Sequence, residues 1–377
     1  MDETLSREHK MVLDAVRYWL KKQCPRTEAM AWDESGQLPP ATLESFMELD
    51  LWAMGVDEAY GGTGRDWLGA GVVVETLAEM DPVLAGIYAS DVFGAAAVIA
   101  EIGNDHQKSI WLPQLAEGKL ATARVKPNRE VAEIIRFHPG ERGWILNGSA
   151  RQVANARRAQ LLVVEAVSDI APETNSFFLV STTDKGLTIT PSETLGYRSA
   201  GIGSVAFKDT FLPPEALLGK PVTGSVSTKA AARIHGFADL ATAAQAVGIA
   251  QGALDYALAH ARSRVQFNQP IGRFPALREK LVDLSTAIRA ARLMMHAAAS
   301  RANASRKFET EAAQALLMAS ATAEKAALDG IQILGGYGYT LEYDAQRYLR
   351  NAMQLVCSAT ETSALNETIG RTLGVAP

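Results

Sequence analysis

The period of the apolar positions changes twice along this chain, and each change marks a new kind of element. Up to about residue 118 the spacing is helical: Leu5, Val12, Val16 and Leu20 share one face, as do Leu43, Phe46, Met47 and Leu51. Gly61-Gly62-Thr63-Gly64 breaks that pattern as a glycine-rich turn. Two more apolar helical runs follow, Leu68 to Leu77 and Val92 to Ile102.

Between about 119 and 222, short runs rich in β-branched and aromatic residues replace the helical stripe. Leu161–Val164, Phe177–Val180, Leu187–Thr190 and Val205–Phe207 are each bounded by turn-forming residues and predict strands. Asn147-Gly148, after the apolar run from Trp144, predicts a hairpin turn. Beyond Pro213-Pro214 and a Gly/Ser/Thr stretch near 219–228, long helices return. Leu277, Leu281, Leu284, Ile288, Ala291 and Met295 form one stripe, and the alanines at 241, 243, 244 and 246 let helices approach closely. The pattern predicts an α+β fold, mainly α: a helical N-terminal domain (1–118), a middle β-domain (119–222) and a C-terminal four-helix bundle (223–377).

Composition narrows the partners more than the fold. With 47% hydrophobic and 21% charged residues, the 377 positions suit a globular chain of two or three domains. A formal net charge of -5 argues against nucleic acid or an anionic membrane as partner. No run supplies the roughly 18 consecutive apolar residues of a spanning helix. The segment Met1 to Arg7 has neither a basic start nor an apolar core of a leader, so a cytoplasmic location is expected. Cys24 and Cys357 lack metal-ligand spacing; they are expected to be reduced structural thiols, and no metal site is expected.

Two C-terminal strings carry the candidate chemistry: Arg264-Val-Gln-Phe-Asn-Gln-Pro-Ile271 and Gln332-Ile-Leu-Gly-Gly-Tyr-Gly-Tyr339. Arginine offers a fork of donors to a pyrophosphate, and paired glycines let backbone N–H groups come close to a ligand. Singly, Arg264 reads as a surface cation and Gly335-Gly336 as a helix stop.

Together with Val56-Asp-Glu-Ala-Tyr-Gly-Gly-Thr-Gly64 and the segment from Gly196-Tyr-Arg198 through Phe207-Lys-Asp209 to Pro213, these strings resemble the motifs of the acyl-CoA dehydrogenase family along nearly the whole chain. Asp57 stands where proline is usual and Asn268 where glycine is. The resemblance implies that family's fold, with a β-barrel or sandwich as its middle domain. It also implies that Arg264, Gln266, Phe267, Gln332, Gly335 and Gly336 grip the ADP half of an FAD bound mainly by a neighbouring chain.

The other half of the family's flavin site is altered. Val125-Lys-Pro-Asn-Arg-Glu-Val-Ala132 keeps only Pro127 of the loop that serves the flavin; Val125 cannot donate as threonine would, and Glu130 puts a carboxylate where glycine would admit a phosphate. The tryptophan and threonine that face the ring become Gln152 and Ala154 of Gln152-Val-Ala-Asn155. Aligning Arg350-Asn351 with the family's Arg-Asp pair puts Ala359 at the catalytic glutamate and Ser358 at the tyrosine before it; the alternative glutamate position falls on Ala238. No catalytic residue is therefore assigned. Glu361 and Asp239 are the candidate displaced bases, weighed against surface or capping roles.

Three readings follow from the resemblance. The chain is a base-less oxidoreductase component that completes the FAD site of a related acyl-CoA dehydrogenase subunit acting on an acyl-CoA, within a tetramer. Alternatively it is a self-sufficient divergent dehydrogenase, homo-oligomeric, using Glu361 or Asp239. The third reading is a flavin-free scaffold or regulatory protein.

Overall fold

Ser6 accepts a hydrogen bond from the His9 backbone while the His9 side chain bonds back to Ser6, a capping box that starts α1 (Arg7–Gln23). The computed structural model describes residues 5–126, 134–171, 175–219 and 226–376. The predicted stripe holds: α1 buries Leu13, Val16, Trp19 and Leu20. Then come α2 (Arg26–Ser35), α3 (Pro40–Met47) and α4 (Trp67–Met80), the last capped by Asp66. The turn at 61–64 is set by sterics, since a Cβ on Gly62 would sit 1.9 Å from the Val56 carbonyl oxygen.

Asp81 caps α5 (Pro82–Ala89), which runs without a break through a π-helical segment (Ser90–Ala96) into α6 (Ala97–Ile102); α7 (Asp105–Ala116) closes the segment. This continuous helix starts well before the Val92 that its apolar run predicts. By length and composition Pro82–Ile102 is apolar enough to cross a membrane, but 83% of its most apolar window is buried within the fold, as befits a core helix.

The strands are β1 (Thr122–Val125), β2 (Arg136–Gly140), β3 (Gly143–Val153), β4 (Leu161–Ser168), β5 (Asn175–Ser181), β6 (Leu187–Pro191) and β7 (Gly203–Leu212). They form a sheet in the order β1-β4-β2-β3-β7-β6, with β5 also on β4. The four strand signals each find their strand. The hairpin expected at Asn147-Gly148 is absent: β3 runs straight through, and the tight turn lies between Gly140 and Gly143. Asn147-Gly148 instead makes a bulge against β7, where Asn147 and Asp209 exchange two hydrogen bonds.

The C-terminal helices are α8 (Thr228–Ser263), α9 (Pro275–Asn303), α10 (Glu309–Leu334), α11 (Ala345–Ser358) and α12 (Thr362–Leu373). The strands β8 (Val265–Gln266) and β9 (Gln269–Pro270) form a small hairpin whose turn residues Phe267 and Asn268 have φ of 48° and 63°. As predicted, α9 buries Leu281, Leu284, Ile288, Ala291 and Met295. Buried Arg347 ties the ends of the chain together: Nε donates to Asp344 Oδ1 at 2.6 Å and Nη2 to the Met80 carbonyl at 2.9 Å, while Arg26 Nη1 reaches Asp344 Oδ2 at 2.8 Å. Cys24 is buried, and that burial pushes its thiol well above the usual range; Cys357 is exposed, contrary to the structural role expected of it.

Candidate functional site

A cavity of 180 Å³ lies where the π-helical segment, β1, the end of β3, α8 and α11 meet. The Gly196-Tyr-Arg198 string builds one wall. A Cβ on Gly196 would come within 2.3 Å of the Arg350 carbonyl oxygen, so only glycine lets this loop seat on α11. There the Tyr197 N–H donates to Asn351 Oδ1 at 2.8 Å, and the buried Tyr197 hydroxyl donates to Gln245 Oε1 at 3.1 Å. Gln354 on α11 donates to Gln152 Oε1 at 3.2 Å and to Ser358 Oγ at 3.1 Å, joining bundle to sheet at the cavity wall. The π-helical segment is held by Asp91, which accepts from Trp52 Nε1 at 3.0 Å and Thr122 Oγ1 at 2.6 Å; burial raises its carboxyl to about 6 against those bonds.

Strand alternation decides which residues of β1 face this space. Val125, like Ala123, packs into the sheet core, whereas Arg124 and Lys126 line the cavity. The polar–apolar alternation of Thr122-Ala-Arg-Val-Lys126 carries this signal, and Val125 is not the cavity-facing position. Pro127 and Glu130 of the same string lie outside the described residues.

Parallel pairing of Arg124 with Val163 places Glu165, two residues further on β4, on the same face. Glu165 Oε2 sits 3.7 Å from Arg124 Nη2, and its carboxylate accepts from His235 Nε2 at 3.1 Å and from Asn175 Nδ2 at 3.1 Å. Burial opposes the Glu165 charge, but His235, Arg124 and Lys126 outweigh it and hold the carboxyl at about 2.

Ala238 and Ala359, the positions that the resemblance assigns to the catalytic glutamate, line the cavity, as does Ser358. Asp239 and Glu361 do not. Asp239 is buried within α8 and accepts from the Thr360 hydroxyl, so it is no N-cap. Glu361 is exposed at the N-cap position of α12, just before its first residue Thr362. No carboxylate lines the cavity among the described residues.

A second, open pocket of 550 Å³ gathers Arg264, Gln266, Gly335 and Gly336 with Tyr337. Gly335 ends α10 at φ 61° and ψ −133°, a region open to glycine alone. Gly336 differs: a Cβ there meets nothing within 4 Å, so nothing in this chain demands glycine. Gln332 and Phe267 are not among the lining residues; both are exposed, Phe267 to 88%. Val265, Tyr339 and Leu341 are likewise exposed, giving this end of the bundle an apolar surface. No cluster of His, Cys, Asp or Glu suited to a metal occurs among the described residues.

The two pockets differ in their fit to FAD. The open pocket suits an ADP group, with guanidinium and amide donors beside glycine backbone that a phosphate can approach. The inner cavity does not suit an isoalloxazine held in the family's manner. It is smaller than the ~300 Å³ at which ordinary ligand pockets begin, its wall carries the Gln152–Gln354 bond, and two cationic side chains, Arg124 and Lys126, line it.

Comparison with known proteins agrees with this architecture. The family descriptions "Acyl-CoA dehydrogenase, N-terminal domain" and "Acyl-CoA dehydrogenase, C-terminal domain" match residues 6–119 and 236–357. A probable acyl-CoA dehydrogenase of Bacillus subtilis, YngJ, is 34% identical over 366 residues, covering 93% of this chain and 94% of its own length. The mitochondrial short-chain specific acyl-CoA dehydrogenase of Homo sapiens is 31% identical, covering 92% of this chain and 85% of its own. The butyryl-CoA dehydrogenase of Megasphaera elsdenii superposes with a TM-score of 0.92 at 26% identity, covering 99% of this chain and 100% of its own.

Proposed function

From the premise that this chain belongs to the acyl-CoA dehydrogenase family, we propose that it is a base-less subunit completing the FAD site of a catalytic partner chain. The partner is a related acyl-CoA dehydrogenase subunit that carries the flavin ring, the base and the acyl-CoA. The assembly is a dimer of dimers formed through the C-terminal bundle. The single observation that carries this reading is the pair of alanines, Ala238 and Ala359, at the cavity positions where the family places its glutamate.

α,β-Dehydrogenation of an acyl thioester needs a carboxylate to take the α-proton while the flavin accepts a hydride from the β-carbon. Alanine cannot take a proton. What this chain offers is positioning: Arg264 and Gln266 would hold the ADP half of the FAD with their side-chain donors, and the Gly335-Gly336 backbone would let it approach without a side chain between. Phe267 and Gln332 border this surface. The relatives' names, including a butyryl-CoA and a short-chain specific enzyme, support an acyl-CoA as substrate of the whole assembly.

The test is turnover of the mixed assembly bearing Asp239→Asn and Glu361→Gln in this chain. A positioned general base contributes about 10²–10⁴-fold. The reading expects turnover within about twofold of the parent assembly; a loss on the scale of a general base at either site places the chemistry in this chain instead.

A further inference from the structure

We propose that the open pocket between the end of α8 and the start of α9 is a separate anion site, which takes the phosphates of a small organic diphosphate on Arg262, Arg273 and Arg278. The inference does not rest on the shared-flavin reading and concerns a different surface from the Arg264 pocket.

The charged lining of this 640 Å³ pocket is three arginines, with no acid among the described residues that line it. All three are exposed, and none makes an ion pair or a side-chain hydrogen bond among the described residues. In a chain of formal net charge -5, that is a local concentration of positive charge. The like charges repel one another. Arg273 and Arg278 also flank the N-terminal end of α9, where the helix dipole disfavours a cation. A diphosphate placed between them relieves both penalties, and guanidinium forks match phosphate oxygens in pairs.

The pocket shares no lining residue with the flavin surface. At the end of α8, Arg262 lines this pocket and Arg264 the other; in the turn after β9, Ile271 lines the Arg264 pocket, whereas Pro270, Gly272 and Arg273 line this one. A Cβ on Gly272 would crowd the Ala261 carbonyl oxygen at 3.2 Å, so glycine lets the turn sit close on α8 and shape the wall. Leu258, Ala261, Leu281 and Val282 add an apolar lining, against which the organic body of the ligand packs while its phosphates meet the arginines. The volume lies within the ~300–1,000 Å³ of ordinary small-molecule pockets.

Calorimetric titration with ADP, and in parallel with adenosine, tests the proposal on the intact chain carrying Arg264→Ala, which removes the arginine of the flavin surface. ADP is expected to bind once per chain, with adenosine weaker by at least about tenfold. Adding Arg273→Ala and Arg278→Ala is expected to weaken ADP by at least about tenfold, the scale of a lost charge-assisted bond. Both are exposed side chains, so this variant is expected to fold. Lys21→Ala with Lys22→Ala removes the same charge from α1 and is expected to leave ADP binding unchanged. No ADP binding, equal affinity for adenosine, undiminished binding without Arg273 and Arg278, or an equal loss without Lys21 and Lys22 each overturns the assignment.

Discussion

Gln354 on α11 donates to Gln152 on β3 at 3.2 Å, so two amides join the bundle to the sheet at the cavity wall. Gln152 holds φ at 53°, which fixes the direction of its side chain, and Gln354 is steadied by its second bond to Ser358. Gln354→Ala removes both bonds. The expected cost is about 1–2 kcal/mol of stability, read as a lower midpoint in urea with an unchanged slope; an unchanged midpoint refutes the joining role.

Arg264 is exposed and its guanidinium lies over the Tyr337 ring at 5.8 Å, with no ion pair to lose among the described residues. Arg264→Ala is expected to leave the melting of the isolated chain within about 0.5 kcal/mol. In the mixed assembly it should weaken FAD retention about 10- to 100-fold, the scale of a charge-assisted bond. Unchanged flavin content after dialysis counts against the shared site.

Gly336→Ala separates ligand approach from folding more sharply. Beyond its immediate chain neighbours the added methyl meets nothing within 4 Å, so thermal unfolding of the isolated chain should not fall. Flavin retention in the mixed assembly should still drop, because the methyl occupies the path to the backbone N–H groups. A variant that folds and retains flavin normally shows that no phosphate comes close at this position.

Glu165 gives a pH prediction with a definite sign. Its carboxyl is held at about 2, below the ordinary 4.5, so the stability it contributes is present above pH 4.5 and is lost as the pH falls towards 2. That difference corresponds to roughly 3 kcal/mol. Glu165→Gln should be less stable than the parent at neutral pH and should lose less on acidification through that window. Parallel acid limbs for the two proteins, measured by denaturant midpoint against pH, contradict the assignment.

Much of this fold is legible in the sequence because its signals are local. The stripe from Leu277 to Met295 and the four strand runs each depend on neighbours a few residues away, and each finds its element. Asn147-Gly148 misleads for a physical reason: a Cβ on Gly148 would lie 2.4 Å from the Ile134 carbonyl oxygen, so glycine serves a close strand approach rather than a turn. Asp239 was legible as a short acid beside alanines, but not as a buried partner of Thr360, because that bond spans 121 residues. The Arg124–Glu165–His235 cluster escapes for the same reason, being assembled from three separate elements; only the alternation in β1 hints at it.

The location of the flavin separates a shared site from a self-sufficient one. The most direct measurement is the visible flavin absorbance of this chain purified alone, beside that of the same chain purified with a catalytic acyl-CoA dehydrogenase partner. A colourless oligomer alone, and one flavin per pair of chains in the mixture, is the predicted result; one flavin per chain in the protein purified alone contradicts it.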